Sequence, residues 1–246
     1  RSTPVTTFAG GTNWKQVACG GAHTAAIKTD GTLWTCGRND YGPLGDNTTT
    51  QRNTPVTTFA GGTNWKQVAG GIFYTAAIKT DGTLWTWGRN TNGPLGDNTT
   101  TQRNTPVTTF AGGTNWKQVS CGNGYTTAAI KTDGTLWTWG RNDYGPLGDN
   151  TGTSRSIPVT TFAGGTNWKQ VACGSEHTAA IKTDGTLWTW GSNGFVFNTS
   201  GQLGDNTGTS RSIPVTTFAG GTNWKQVSCG DAHTAAIKTS DDLLGI

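Results

Sequence analysis

A fourteen-residue phrase, PVTTFAGGTNWKQV, occurs five times in this 246-residue chain, first as Pro4–Val17. Its tryptophan falls at Trp14, Trp65, Trp116, Trp168 and Trp224, so the spacings are 51, 51, 52 and 56. The base period is 51; the third spacing holds one extra residue near Gly124 and the fourth an insertion of five. TAAIKT also occurs five times, and DGTLWT and LGDNT four times each. A period of this length marks a repeat architecture in which one supersecondary unit is stacked on its neighbours. Identity at this level implies recent amplification of one unit or deliberate assembly.

Each unit contains four short segments, WKQVACG, HTAAIKT, LWTWG and PVTTF, rich in β-branched and aromatic residues and bounded by turn residues. Asp30-Gly31 reads as a tight hairpin turn, because glycine accepts positive φ. In the third segment Trp85 and Trp87 share one face and Leu84 and Thr86 the other. No segment keeps a helical period. Four strands per unit, repeated radially, is the pattern of an all-β propeller. A single sheet of this size buries too little alone, so adjacent units must supply each other's core.

The chain is therefore expected to form one domain, 1–246, of five four-stranded blades. The units are 13–59, 64–110, 115–162, 167–218, and 223–246 plus 1–8. The last unit ends Leu243-Leu244-Gly245-Ile246 where its predecessor reads Leu187-Trp188-Thr189-Trp190. The N-terminal segment Pro4, Val5 to Phe8 is then expected to complete the blade begun by Leu243, Leu244 and Ile246, covering both open edges. A monomeric closed ring follows, with strand exchange between near-identical chains as the competing arrangement.

Charge argues against some partners. The net charge is +4, with 18 Lys and Arg dealt out a few per unit rather than clustered. A nucleic-acid face wants clustered basic residues, so none is expected. No stretch approaches the roughly 18 apolar residues of a membrane span, and no membrane partner is expected. The chain starts at Arg1 without a signal peptide, which implies processing, excision from a longer chain or a synthetic origin.

The ordered run Cys173-Gly174-Ser175-Glu176-His177-Thr178, Asp184-Gly185, Leu187-Trp188-Thr189-Trp190-Gly191 and Gly201-Gln202-Leu203-Gly204 resembles the regulator of chromosome condensation repeat. Asn39, Asn90, Asn142 and Asn193 match that family's Asn, and Pro55, Pro106, Pro158 and Pro214 its proline. The resemblance covers essentially the whole chain. Three units depart with Gly-Pro-Leu-Gly (Pro43, Pro94, Pro146), and the family's His is Tyr74 in unit two and Thr126 in unit three. The wording is closest to bacterial, phage or environmental repeats. The resemblance implies a propeller, with seven blades usual against five here. It also implies protein binding, as in exchange factors, enzyme inhibitors, light sensors and ubiquitin-ligase accessory domains.

No residue pattern points to catalysis. His23, His177 and His233 share one repeat position without a recurring carboxylate, which reads as buried histidines bonded to backbone. Cys19, Cys121, Cys173 and Cys229 share another, placing thiols around a central shaft. Such a ring could hold a soft metal, but small residues fitting a crowded shaft is the preferred reading, with no disulfide, metal or cofactor. Unpaired thiols suit a reducing, cytoplasmic compartment. The Gly-Asp-Asn-Thr turns lack a calcium loop's alternating carboxylates and read as turns bonded to their own backbone.

One stretch, Ser192–Gln202, escapes the repeat and carries Phe195, Val196 and Phe197. Exposed apolar loop residues on a rigid scaffold often mark a contact. With Tyr41 and Tyr144 they form the candidate contact surface for an unidentified protein partner. The leading expectation is a non-enzymatic protein-binding scaffold. Two alternatives stand beside it: a multivalent glycan binder with equivalent sites between blades, and an amplified or engineered propeller with no selected ligand.

Overall fold

The computed structural model describes residues 6–8, 10–194 and 201–239. Among these residues the chain is all-β, with four four-stranded antiparallel sheets and one two-stranded sheet. The first blade is β1 (Trp14–Cys19), β2 (His23–Lys28), β3 (Leu33–Gly37) and β4 (Arg52–Thr57). The second is β5 (Trp65–Gly70), β6 (Tyr74–Lys79), β7 (Leu84–Gly88) and β8 (Arg103–Thr108). The third is β9 (Trp116–Cys121), β10 (Thr126–Lys131), β11 (Leu136–Gly140) and β12 (Arg155–Thr160). The fourth is β13 (Trp168–Cys173), β14 (His177–Lys182), β15 (Leu187–Gly191) and β16 (Arg211–Thr216). The last sheet pairs β17 (Trp224–Cys229) with β18 (Thr234–Lys238).

The Asp-Gly hairpin forms as its residues require. Gly31 sits at φ 80°, and its N–H donates to the Lys28 carbonyl while Lys28 N–H donates to the Thr32 carbonyl. Asp30 Oδ1 accepts from Thr32 N–H at 2.9 Å and Thr32 Oγ1 at 2.7 Å. A side chain at Gly31 would also meet the Thr63 carbonyl 2.1 Å away. The turn thus demands glycine for conformation and for contact with the next blade.

Each blade offers different faces to its two neighbours, because strand side chains alternate. Ala25, Ile27 and Leu33 of the first blade pack against Trp65, Val68, Ala77 and Trp87 of the second. Ala76, Ile78 and Leu84 then meet Trp116, Val119, Ala129 and Trp139 of the third. The core is this seam, repeated from blade to blade. Trp65 packs edge-on against both Trp85 and Trp87, with ring centroids 6.4 and 6.0 Å apart, the favoured geometry for aromatic pairs.

Polar groups stitch the same seams. Gln16 Nε2 donates to the Val68 carbonyl at 2.9 Å and Val68 N–H donates to Gln16 Oε1 at 3.1 Å. Gln67 bonds Val119 in this way, Gln118 bonds Val171, and Gln170 bonds Val227. The buried tryptophan donates to the preceding blade's loop, Trp87 to Pro43, Trp139 to Pro94 and Trp190 to Pro146, each at 2.8 Å. Only a backbone carbonyl is used there. Thr75 Oγ1 donates to Pro43 O and Thr234 Oγ1 to Gln202 O, both at 2.8 Å. This explains why Gly-Pro-Leu-Gly can stand in for Gly-Gln-Leu-Gly.

The expected closure is not seen among the described residues. Phe8 lies outside any strand and is 88% exposed. Val17 is 65% exposed, whereas Val68, Val119 and Val171 are each 2%. The first blade's leading face is therefore open instead of seated on the last blade. Pro4, Val5, Leu243, Leu244 and Ile246 lie outside the described residues.

Candidate functional site

Differences between copies gather at one end of the blades. The turn after each first strand and the loop after each third strand meet there, since Gly37 pairs with His23 and Arg38 N–H donates to the Ala22 carbonyl. These positions read Gly-Ala-His in unit one but Ile72-Phe73-Tyr74, Gly124-Tyr125-Thr126 and Ser175-Glu176-His177 in the next three. The opposite end carries the unvaried Asp-Gly hairpins. Above them Lys79 lies over Trp65 and Trp85, at 4.7 and 4.6 Å from the ring centroids.

An aromatic–arginine cluster spans three blades at the variable end. Tyr41 packs on Phe73 with centroids 5.1 Å apart. The Arg89 guanidinium lies 4.6 Å from the Tyr41 ring centroid, 5.9 Å from that of Phe73 and 5.2 Å from that of Tyr125. Arg89 Nη1 donates to Tyr125 Oη at 2.9 Å, and Arg38 sits over Phe73 at 5.2 Å. Such stacks hold an arginine's orientation while leaving donors free. Tyr125 occupies the position of Ala22 and Phe73, beside the extra residue of unit three, and has φ 68°, rare for a bulky side chain. That conformation turns its ring out of the seam and onto Arg89. Gly124 beside it lies so near the fourth blade that a Cβ would be 1.7 Å from the Ser175 carbonyl.

The cluster continues as an ion-pair bridge. Arg141 pairs with Asp143 at 2.6 Å and with Glu176 of the next blade at 3.0 Å. Burial nevertheless raises the Glu176 carboxyl above its usual range. Tyr144 is 40% exposed and lines a shallow groove with Asp143, Asn150 and Ser212. Of the expected contact residues, Tyr41 and Tyr144 lie at this end; Phe195, Val196 and Phe197 lie outside the described residues. Sequence reasoning missed Phe73, Arg89, Tyr125, Arg141 and Glu176. The signal was present, because most occupy positions where the copies disagree.

The shaft opens at the same end, as a cavity of about 150 Å³ lined by Cys19, Gly70, Cys121, Cys173 and Cys229. Asn123 Nδ2 donates to Asp231 Oδ1 at 2.8 Å, joining the third and fifth units across its mouth. All five cysteines are free. Burial pushes Cys173 and Cys229 up to about 12 and Cys121 higher still, which disfavours the thiolate a metal needs. Among the described residues no three His, Cys, Asp or Glu side chains come together as metal ligands.

The histidines are seam elements. His23 Nε2 lies 2.9 Å from Thr75 Oγ1 and His177 Nε2 3.0 Å from Thr234 Oγ1, each across to the next blade. Their partner is thus a side-chain hydroxyl, not the expected backbone. Burial lowers both to about 4. Each ring lies against the glycine three residues earlier; a Cβ at Gly20 would be 2.2 Å from His23. This is the physical content of the Gly-x-x-His spacing. Tyr74 takes the place in unit two and donates to the Thr126 carbonyl at 2.7 Å, filling the seam where unit three supplies only Thr126.

The Asp turns are internally satisfied. Asp46 Oδ1 accepts from Thr48 N–H and Thr48 Oγ1, and Oδ2 pairs with Arg52 at 2.8 Å. Buried Asn39 Nδ2 donates to Asp46 Oδ1 and to the Thr48 and Thr50 carbonyls, while its Oδ1 accepts from Leu44 N–H. Asn90, Asn142 and Asn193 make equivalent bonds to Asp97, Asp149 and Asp205.

Known proteins share this sequence pattern and this fold. The sequence fits the RCC1-like domain over residues 1–246. The chain belongs to that family. It is 35% identical over 236 residues to the ultraviolet-B receptor UVR8 of Arabidopsis thaliana, covering 93% of this chain and 52% of the relative. It is 33% identical over 232 residues to the human E3 ubiquitin-protein ligase HERC2, covering 91% of this chain and 5% of that one. The chain thus spans about half of one relative and a small part of the other. These relatives are eukaryotic and lend no support to the bacterial, phage or environmental reading. Among solved structures, human WBSCR16 superposes with a TM-score of 0.78 at 27% identity, covering 92% of this chain and 58% of that one. Saccharomyces cerevisiae Prp20p, described with its binding properties to Gsp1p and histones, gives 0.82 at 20% identity, covering 98% and 60%. The latter likeness concerns the fold alone.

Proposed function

We propose that this RCC1-like domain is a non-enzymatic protein-binding scaffold whose contact surface is the variable end of the blades. The observation that carries this reading is the Tyr41–Phe73–Arg89–Tyr125 cluster, built where the copies depart from one another. Tyrosine and arginine anchors on a rigid frame are what protein interfaces enrich. Tyr144 and the Arg141–Glu176 bridge extend the surface; Phe195, Val196 and Phe197, outside the described residues, fall in the sequence between β15 and β16. A photo-crosslinker placed at residue 73 should capture partner, and one at residue 81, in the invariant hairpin at the other end, should not. Capture at 73 should be lost in Arg89→Ala. Equal capture from both ends would overturn the assignment.

Multivalent glycan binding is a second reading, favoured by a separate feature. Phe59, Phe110, Phe162 and Phe218 are 63–75% exposed at equivalent positions, and Phe218 lines a groove with Gly204, Asn206 and Thr207. Equivalent weak sites would act through avidity. A glycan titration with several sites per chain, abolished in proportion as these phenylalanines are replaced by Ser, would support it over a single-partner scaffold.

A further inference from the structure

One arginine at the variable end lacks the acids that its counterparts have. The residue after the third strand is Arg38 in the first unit, Arg89 in the second and Arg141 in the third. Its N–H donates to a turn carbonyl of its own blade, at Ala22, Phe73 and Tyr125 in turn, and Ser192 N–H donates to Glu176 in the fourth. Those turn positions are therefore equivalent. Each arginine side chain meets two positions: the residue two further along its own loop, and the turn residue of the next blade. Arg141 finds a carboxylate at both, Asp143 and, 3.0 Å from Nη1, Glu176. Arg38 finds one at Asp40 and lies over Phe73. Arg89 finds a hydroxyl at both. Its Nε donates to Thr91 Oγ1 at 3.2 Å and its Nη1 to Tyr125 Oη at 2.9 Å.

No carboxylate among the described residues pairs with Arg89. A guanidinium presents five N–H donors in a rigid fork, and Nη2 has no partner among the described residues. Three rings surround the group, with the centroids of Tyr41, Phe73 and Tyr125 at 4.6, 5.9 and 5.2 Å. They fix its orientation, so little freedom is lost when an anion binds. They also displace water, which strengthens the pull of an unpaired charge.

We propose that Arg89 is a carboxylate-binding site, and that its occupant is an Asp or Glu side chain from an acidic segment of a protein partner. The ligand chemistry is set by the chain itself, because the equivalent arginines of the first and third units both take carboxylates. The inference rests on the reading of the variable end as the contact surface and adds the charge of what it contacts. Thr91→Asp restores the pairing seen at Asp40 and Asp143, so that variant fills the site from within.

A fluorescently labelled hexaglutamate peptide, titrated by anisotropy, should bind the wild-type chain. Arg89→Ala and Thr91→Asp should each weaken binding about tenfold, the scale of one charge-assisted hydrogen bond. Lys66→Ala removes the same unit of charge at the hairpin end and should leave binding unchanged. Near-ultraviolet circular dichroism should be alike in all three. Thr91→Asp is the sharper variant, since Arg89 and its rings stay in place. Equal weakening by all three would overturn the proposal, because it marks a general attraction to a basic chain. So would a wild-type chain that does not bind the peptide, or one that binds a phosphoserine peptide and not hexaglutamate. Partner capture at residue 73 that survives Thr91→Asp, with no hexaglutamate binding, would keep the contact surface and discard the acidic occupant. The contact surface itself fails by a different result, equal capture from residues 73 and 81.

Discussion

The seam between the second and third blades lies in their strands and the aromatic cluster above it in the adjoining turns and loops, and the two obey different rules. In the seam, Ile78, Leu84, Trp116 and Trp139 are buried, and their equivalents recur in the neighbouring seams. In the cluster, Phe73, Arg89 and Tyr125 are half-exposed and no other blade repeats the combination. A seam must satisfy both neighbours at once, so any change is felt on two sheets. The variable end is answerable only to whatever approaches from outside. Stability is therefore stored in what repeats, and the proposed recognition surface lies in what does not.

The sharpest break of that contrast is to hollow out a seam. Trp139→Ala should cost about 3–5 kcal/mol, through lost burial and a cavity, and denaturant unfolding would read it. A loss under about 1 kcal/mol would mean the seams are not the core. Acid attacks the same place. His23 and His177 are held near 4 when folded, against about 6.5 when unfolded. The unfolded chain binds more protons between those values, so stability falls as pH drops from about 6.5 toward 4, by on the order of 3 kcal/mol per histidine. Denaturation midpoints at neutral and acid pH should show this, and the double variant His23→Gln, His177→Gln should flatten the slope across that window. An unchanged slope would assign the acid sensitivity elsewhere.

Smaller effects sharpen the comparison. Gln118→Ala removes the clamp on Val171 and should cost about 1–2 kcal/mol, because two backbone groups lose partners. Arg89→Ala should change stability by less than about 0.5 kcal/mol, as exposed charged contacts do, while abolishing partner capture. If Arg89→Ala instead destabilised the chain as much as Gln118→Ala, the cluster would be a fourth layer of the seam and not a surface for recognition.

Much of this was legible in the residues. The four strands per unit, their order and the Asp-Gly turn follow from alternation and turn chemistry. The family Asn and the Gly-x-x-His spacing were visible as a pattern. Their reasons were not: His23 lies on Gly20 and reaches Thr75, which is 52 residues away. Phe73, Arg89 and Tyr125 carried a faint signal, since most stand where the copies disagree, yet nothing in one dimension shows that the turn of one unit meets the loop of another.

What the sequence determined by itself was the blade, because strand period and turn preference act over a few residues and survive without neighbours. What only the tertiary structure decided was how blades meet. The pairing of Gln16 with Val68, the outward turn of Tyr125 onto Arg89, and the exposure of Val17 all depend on contacts between units. A repeated sequence assigns the same residues to every blade. Whether a given copy is covered, and by what, is set by packing at a distance, and there identical residues acquire different roles.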